Sequence, residues 1–205
     1  MTDLAEGGAA SGWNWIADTA LDAGGSFTFA RGVPPDRVIE AFGMRPASAR
    51  LVPLDRVADA LHDPDWLGSH PPEHYWIRVG ASGGWGFALD ESSGGFGWYE
   101  EDAAIGLSQG TEAILFTHTA TIDTFHYYVD SVEVTGFEPL RGWERWGTQP
   151  DQFLSQMRQA GLRTDPDAER TRDSRLALLD MLTLALGIQV TREQAFGPLL
   201  TVQHD

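Results

Sequence analysis

The chain has 205 residues, enough for one domain of generous size, and it contains no cysteine. Disulfides, thiol nucleophiles and thiolate zinc sites are therefore excluded, and a reducing cytoplasm is the expected location. The formal net charge is −16, since 30 acidic residues face 14 arginines and no lysine. The missing lysine excludes Schiff-base and P-loop chemistry. The negative charge argues against nucleic acid and anionic membranes as partners.

The first twelve residues predict a flexible tail, because they are small and polar and lack the basic and apolar parts of a secretion signal. Residues 13–205 are expected to form a single domain, since no linker, repeat or low-complexity tract interrupts them. The longest mainly apolar run, from Leu176 to Leu186, is shorter than the ~20 residues of a bilayer span.

Helical signals stand at both ends of the chain. Near the N-terminus they predict helices over Trp13–Leu21, from Pro34 to Gly43, and over Pro53–Leu61. A short extended piece, Phe27–Phe29, lies between the first two. After residue 141 they predict a helix that starts at Thr148 to Asp151 and stops at Gly161, a buried helix over 176–186, and a capping box at Thr191–Gln194.

The middle of the chain, residues 74–137, alternates apolar and polar residues and is rich in aromatics. This pattern predicts an antiparallel sheet of about six strands with one face buried. The strands are expected near 74–79, 84–90, 96–101, 112–118, 124–130 and 132–137. Paired glycines at 83–84 and 94–95 suit hairpin turns. The predicted fold class is α+β, with the sheet packed by N-terminal and C-terminal helices.

The histidines give no clear metal signature. His70 and His74 are four residues apart, but two prolines between them prevent a helix that would align them, so a solvated loop is expected. His118 and His126 lie on neighbouring predicted strands. They pair directly if the hairpin is centred on Ile122, and face opposite sides if the turn has four residues. No metal and no cofactor are predicted.

Acidic residues flank one predicted hairpin, as Asp90-Glu91 and as Glu100-Glu101-Asp102. Five carboxylates could gather at one end of the sheet, to hold calcium or to act as a general acid and base. No calcium-loop spacing is present, so charged turns at a sheet end are the expected role.

The G-x-S-x-G pattern occurs twice, around Ser82 and around Ser108. A nucleophile elbow needs a strand before the serine and a helix directly after it. Ser82 falls in a predicted hairpin, and Ser108 is followed by a predicted strand. Neither match favours a hydrolase, and the motifs together argue against an enzyme.

Arginine and tryptophan alternate in R-G-W-E-R-W, where Arg141, Trp143, Arg145 and Trp146 form a candidate interaction surface. This composition is typical of binding hot spots. The alternative is a structural loop in which arginine stacks on tryptophan and seals the sheet onto the next helix.

Arg31 is the centre of a candidate ligand pocket between sheet and helices, with Asp18 or Glu91 as carboxylate partners. It lies between an aromatic strand and a Pro-Pro helix start, where a buried arginine could hold an anion. The alternative is an arginine that pins the chain through backbone carbonyls.

Several segments together resemble a family of actinobacterial domains of unknown function. They are F-T-F-A-R-G-V-P-P from Phe27 to Pro35, L-S-Q-G-T-E from Leu107 to Glu112, and R-W-G followed by Pro150-Asp151. The likeness extends from about Trp13 to Leu200. It implies a bacterial cytoplasmic α+β domain and brings no known activity.

Charge, the missing catalytic arrangement and the arginine–tryptophan segment favour a soluble protein-binding module of the immunity, adaptor or regulatory type, with a basic protein as partner. The alternative is a small-ligand-binding or hydrolytic domain with its pocket around Arg31.

Overall fold

The computed structural model describes residues 12–63, 75–92, 98–169 and 172–204. In these ranges one antiparallel sheet contains eight strands, ordered β2-β8-β3-β4-β1-β5-β6-β7. The α+β prediction is therefore confirmed. The strands are β1 Gly25–Arg31, β2 Arg50–Val52, β3 Trp76–Ser82, β4 Trp85–Asp90, β5 Glu112–His118, β6 Asp123–Val129, β7 Val132–Phe137 and β8 Leu199–Gln203.

Six α-helices accompany the sheet in the described part of the chain. They are α1 Pro35–Ala41, α2 Val57–Leu61, α3 Trp98–Leu107, α4 Leu154–Ala160, α5 Ser174–Leu186 and α6 Arg192–Phe196. The segment predicted as a first helix consists instead of two 3-10 turns, Asn14–Asp18 and Ala20–Asp22. None of the described helices is both long enough and apolar enough to cross a lipid bilayer.

The predicted strand count, about six within 74–137, is wrong. Strands β1, β2 and β8 come from outside that stretch, and the strand expected at 96–101 overlaps helix α3. Acidic residues in the first turn of α3 interact favourably with the helix dipole. Ala103, Ala104 and Leu107 are buried on one side of this helix. The alternating aromatic residues of this stretch favoured a strand prediction, so this helical spacing was overlooked.

Both faces of the sheet are covered, whereas one buried face was predicted. Strand β4 is buried along its whole length. On one face, aromatic residues such as Phe27 and Phe87 pack with Trp13 and α5. On the other face, smaller residues pack under α1 and α3. Gly86 allows this approach, because a Cβ there would lie 2.2 Å from the carbonyl oxygen of Val33.

Turn and cap signals account for the connections. Gly83 and Gly84 join β3 to β4 with positive φ, as the sequence indicates. Gly161 and Gly187 end α4 and α5 in the left-handed conformation. Thr191 forms the predicted capping box with Gln194. The predicted tail, apart from Gly12, and the histidines at 70 and 74 lie outside the described residues.

Candidate functional site

A cleft of about 500 Å³ opens where the β5–β6 hairpin meets the start of α5. This volume lies within the usual range of ligand pockets. Residues 22–23 and the β5–β6 hairpin, which are distant in sequence, meet here because β5 pairs with β1, and β1 directly follows the second 3-10 turn. The cleft is lined by residues 22–23, 118–121, 123, 140 and 173–175.

His118 forms one wall of the cleft. Its Nδ1 is in hydrogen-bond contact with Asp123, its direct partner across the β5–β6 ladder. Its Nε2 lies 3.1 Å from Nη1 of Arg175 and 3.3 Å from the carbonyl oxygen of Asp22. A guanidinium can only donate, so the contact with Arg175 requires Nε2 as the acceptor, and Nδ1–H then donates to Asp123.

Arg175, at the start of α5, links this helix to Asp22 and also contacts His118. It donates to the carbonyl oxygen of Asp22 at 2.8 Å, to the Asp22 carboxylate at 3.2 Å and to Asp173 at 3.3 Å. Burial alone would raise the pKa of Asp173, but hydrogen bonds from Arg175 outweigh it and the pKa is lowered. Asp173 also caps α5 by accepting from the backbone of Arg175 and Leu176. Hydrogen bonds among Asp22, Asp173 and Arg175 therefore hold this side of the cleft in place.

A second group of charges is buried at the same end of the sheet, on the side of α3. Asp90 ends β4, and Ser26 of β1 is its direct partner. Ser26 donates to Glu100 at 2.6 Å, and the backbone of Ser92 donates to Asp90 at 2.8 Å. Asp90 and Glu100 are both 1% exposed. Charged turns were predicted for five carboxylates here; Asp90, Glu91 and Glu100 are buried instead, whereas Glu101 and Asp102 are exposed.

Asp90 and Glu100 are buried acids that interact with each other. Asp90 Oδ2 and Glu100 Oε2 are buried where no donor of the described residues reaches them. Burial first, and next a hydrogen bond to Glu100, raise the pKa of Asp90 to about 8. Two ionised carboxylates here would be left without donors, and the raised pKa of Asp90 favours its protonated form instead. Nearby Tyr75 has its pKa raised, first by burial and then by the charges of these two acids.

Arg78 and Glu91 form a buried ion pair near this end, with 3.2 Å between Nη1 and Oε1. Arg78 is fully buried and also donates to the carbonyl oxygen of Gly197 at 3.1 Å. Burial lowers the pKa of Arg78 and raises that of Glu91, and their mutual attraction opposes both shifts. The sequence did not single out Arg78, since one polar residue in an alternating strand suggests the solvent face.

The residues of the predicted Arg31 pocket have separate partners. Arg31 pairs with Glu112 at 2.6 Å, Asp18 pairs with Arg192 at 2.5 Å, and Glu91 pairs with Arg78. Arg31 and Glu91 lie at opposite ends of the β1–β4 ladder. The structure does not bring these three residues together, and their role in ligand binding stays a prediction.

The arginine–tryptophan segment is partly folded onto the protein. Arg163 lies 4.6 Å from the ring centre of Trp143, and Arg145 bonds to Asp151 at 2.8 Å. Trp146 is 37% exposed and donates to Glu133, while Arg141 is exposed and pairs with Glu144. Arg141 and Trp146 are thus its accessible members, and its role as an interaction surface stays a prediction.

The remaining candidates are structural. Ser82 donates to the carbonyl oxygen of Gln189, and Ser108 donates to that of Ile105. His118 and His126 lie on opposite faces, because His126 is paired with Leu115 in the ladder. Among the residues with described positions, no three histidine or acidic side chains converge as a metal ion requires.

Comparison places the chain in a family without bringing an activity. No curated protein and no solved structure matches it. A model of a family of unknown function, DUF6461, matches residues 8–195. Since this match covers most of the chain, the protein belongs to the DUF6461 family.

Proposed function

We propose that the protein is a non-enzymatic binding module for a basic protein partner, of the immunity, adaptor or regulatory type. The supporting observation is that most described arginines already form ion pairs with the protein's own carboxylates. The formal net charge of −16 is therefore carried by acidic residues that outnumber the arginines. The paired arginines are Arg31, Arg37, Arg50, Arg56, Arg78, Arg141, Arg145, Arg172, Arg175 and Arg192.

This charge distribution favours a cationic partner over an anionic one. Excess carboxylate attracts a positive surface over a distance of about 10 Å at 0.1 M salt, which accelerates association. Exposed Trp146 and Arg141 offer additional contacts of the kind found in binding hot spots.

Affinity capture from the native host at low ionic strength, followed by calorimetry with the captured protein, tests the proposal. We expect a basic partner whose affinity falls at least about tenfold between roughly 30 and 300 mM salt. Trp146→Ala is expected to weaken binding if the arginine–tryptophan segment takes part. An acidic partner, or an affinity indifferent to salt, would contradict the proposal.

A second candidate function is binding of a small anion near Arg31. The Arg31 side chain is 45% exposed, and its guanidinium lies 4.5 Å from the ring centre of Trp85 and is oriented by Glu112. Glu112 also accepts from Tyr127 at 2.7 Å and borders an open depression of about 330 Å³. Titration with inorganic phosphate tests this candidate, and Arg31→Gln is expected to abolish binding. No binding by the unmodified protein would exclude it for phosphate.

A further inference from the structure

We propose that the cleft beside His118 receives an arginine side chain of the partner protein. This inference rests on the proposed function and adds a defined site and a defined ligand group. Within the described part of the chain, the cleft combines an open volume, an excess of carboxylate and exposed apolar side chains.

The charge balance of the cleft favours a cation. Three carboxylates line it, those of Asp22, Asp123 and Asp173, against one guanidinium, that of Arg175. Three carboxylates against one guanidinium leave negative charge in excess. The Asp22 side chain is half exposed, and it is only weakly held by Arg175 at 3.2 Å. It can therefore accept a further donor without breaking the network.

The apolar part of the cleft suits the methylene stem of a long side chain. Leu140 lines the cleft and is 42% exposed, and Ala23 and Ala120 lie on the same lining. Ile122, between the lining residues Thr121 and Asp123, is also exposed. Arginine and lysine bury their stems on such surfaces while the charged head finds acceptors.

Arginine fits better than lysine because the carboxylates that line the cleft come from three separate segments, at residues 22, 123 and 173. A planar guanidinium has five donors in a fixed fork and can donate to more than one of these acceptors together. An ammonium is a compact point charge with three donors and no such fork.

The test uses the whole chain and two short peptides that differ only in charge. One contains a single arginine with blocked ends, and the other contains citrulline, which has nearly the same shape without the charge. Chemical shifts of the Ala23, Thr119 and Thr121 amides report on the cleft. We expect saturable shifts with the arginine peptide and at least about tenfold weaker binding of the citrulline peptide.

Variants locate the site. Asp22→Asn removes one cleft carboxylate and is expected to weaken binding of the arginine peptide by about three- to tenfold. Asp59→Asn is the matched control, because Asp59 forms a comparable exposed pair with Arg56 at 3.4 Å and does not line the cleft. Leu140→Ala is expected to weaken binding through the lost stem contact. Thermal unfolding confirms that each variant is folded.

The outcomes separate this inference from the proposed function. Equal binding of both peptides, absent shifts in the cleft, or equal effects of Asp22→Asn and Asp59→Asn would overturn the arginine site. If the captured partner still binds in a salt-sensitive way, the proposed function stands without it. A partner whose affinity drops with Asp22→Asn but not with Asp59→Asn supports both.

Discussion

Two charged regions lie at the same end of the sheet and behave differently because of burial. The pair Arg78–Glu91 and the acids Asp90 and Glu100 are almost completely enclosed. The cleft around Arg175 has the same residue types, but its side chains remain partly exposed. A buried charge must be satisfied within the protein at all times, whereas a half-exposed charge can exchange water for a ligand. The enclosed region is therefore expected to serve stability, whereas the cleft is the region that we propose for binding.

The largest effect is expected from breaking the enclosed ion pair. Arg78→Met leaves Glu91 charged and buried without its partner, and we expect the free energy of unfolding to fall by about 3–5 kcal/mol. Urea denaturation measures this loss. Adding Glu91→Gln should restore part of it.

Arg37→Met is the matched control for this change, because Arg37 forms an exposed pair with Glu40. It should alter stability by no more than about 0.5 kcal/mol. Equal losses at positions 37 and 78 would contradict the distinction between the two regions.

The second effect concerns pH. The pKa of Asp90 is about 8 in the folded protein and about 4 in an unfolded chain. Between these values the folded protein holds a proton that the unfolded chain has released. The contribution of Asp90 to the free energy of unfolding is therefore largest below about pH 4 and falls as pH rises toward 8, by at most about 1.4 kcal/mol per pH unit.

Asp90→Asn keeps a donor toward Glu100 and should remove most of this slope in denaturation curves between pH 4.5 and 8. Glu91, whose pKa is also raised, leaves a weaker slope of the same sign. Asp102→Asn, on the exposed side of α3, should leave the slope unchanged. An unchanged slope in Asp90→Asn would contradict the raised pKa of Asp90.

A smaller effect is expected in the cleft. Arg175→Gln loses the bonds to Asp22 and Asp173, but water can replace them, so the cost should be about 1 kcal/mol. Thermal unfolding measures it. A loss as large as that of Arg78→Met would show that the cleft is structural and would weaken its assignment as a binding element.

The smallest effect is expected for an exposed ion pair. Arg192 and Asp18 are both more than half exposed, and Arg192→Gln should cost no more than about 0.5 kcal/mol. The difference from the unmodified protein should disappear in 0.5 M salt, roughly, because exposed pairs are screened. A loss that persists in salt would point to the contact of Arg192 with Phe196 instead.

Local signals in the sequence predicted the local structure well. The glycine turn between β3 and β4, the left-handed caps at Gly161 and Gly187, and the Thr191 capping box all involve neighbours in the chain. Helix α3 was missed because aromatics and glycines around it imitate a strand pattern, and β8 was missed because five residues carry little periodic signal.

The candidate site could not be predicted in the same way. The cleft joins Asp22, His118 and Arg175, and only the pairing of β1 with β5 and the docking of α5 bring them together. The burial of Arg78 likewise depends on its neighbours β4 and β8. The spacing of residues along the sequence does not reveal such contacts. The residue types, in contrast, did indicate acidic clusters near Asp90.

The position of β8 has a consequence for synthesis on the ribosome. Residues 199–203 lie between β2 and β3, which are made about 120 residues or more earlier. Until those five residues emerge from the exit tunnel, β2 has no neighbour and the outer edge of β3 stays open to pairing with other nascent chains. Assembly of this half of the sheet is therefore a late event, and a stop codon before residue 199 would leave an aggregation-prone edge.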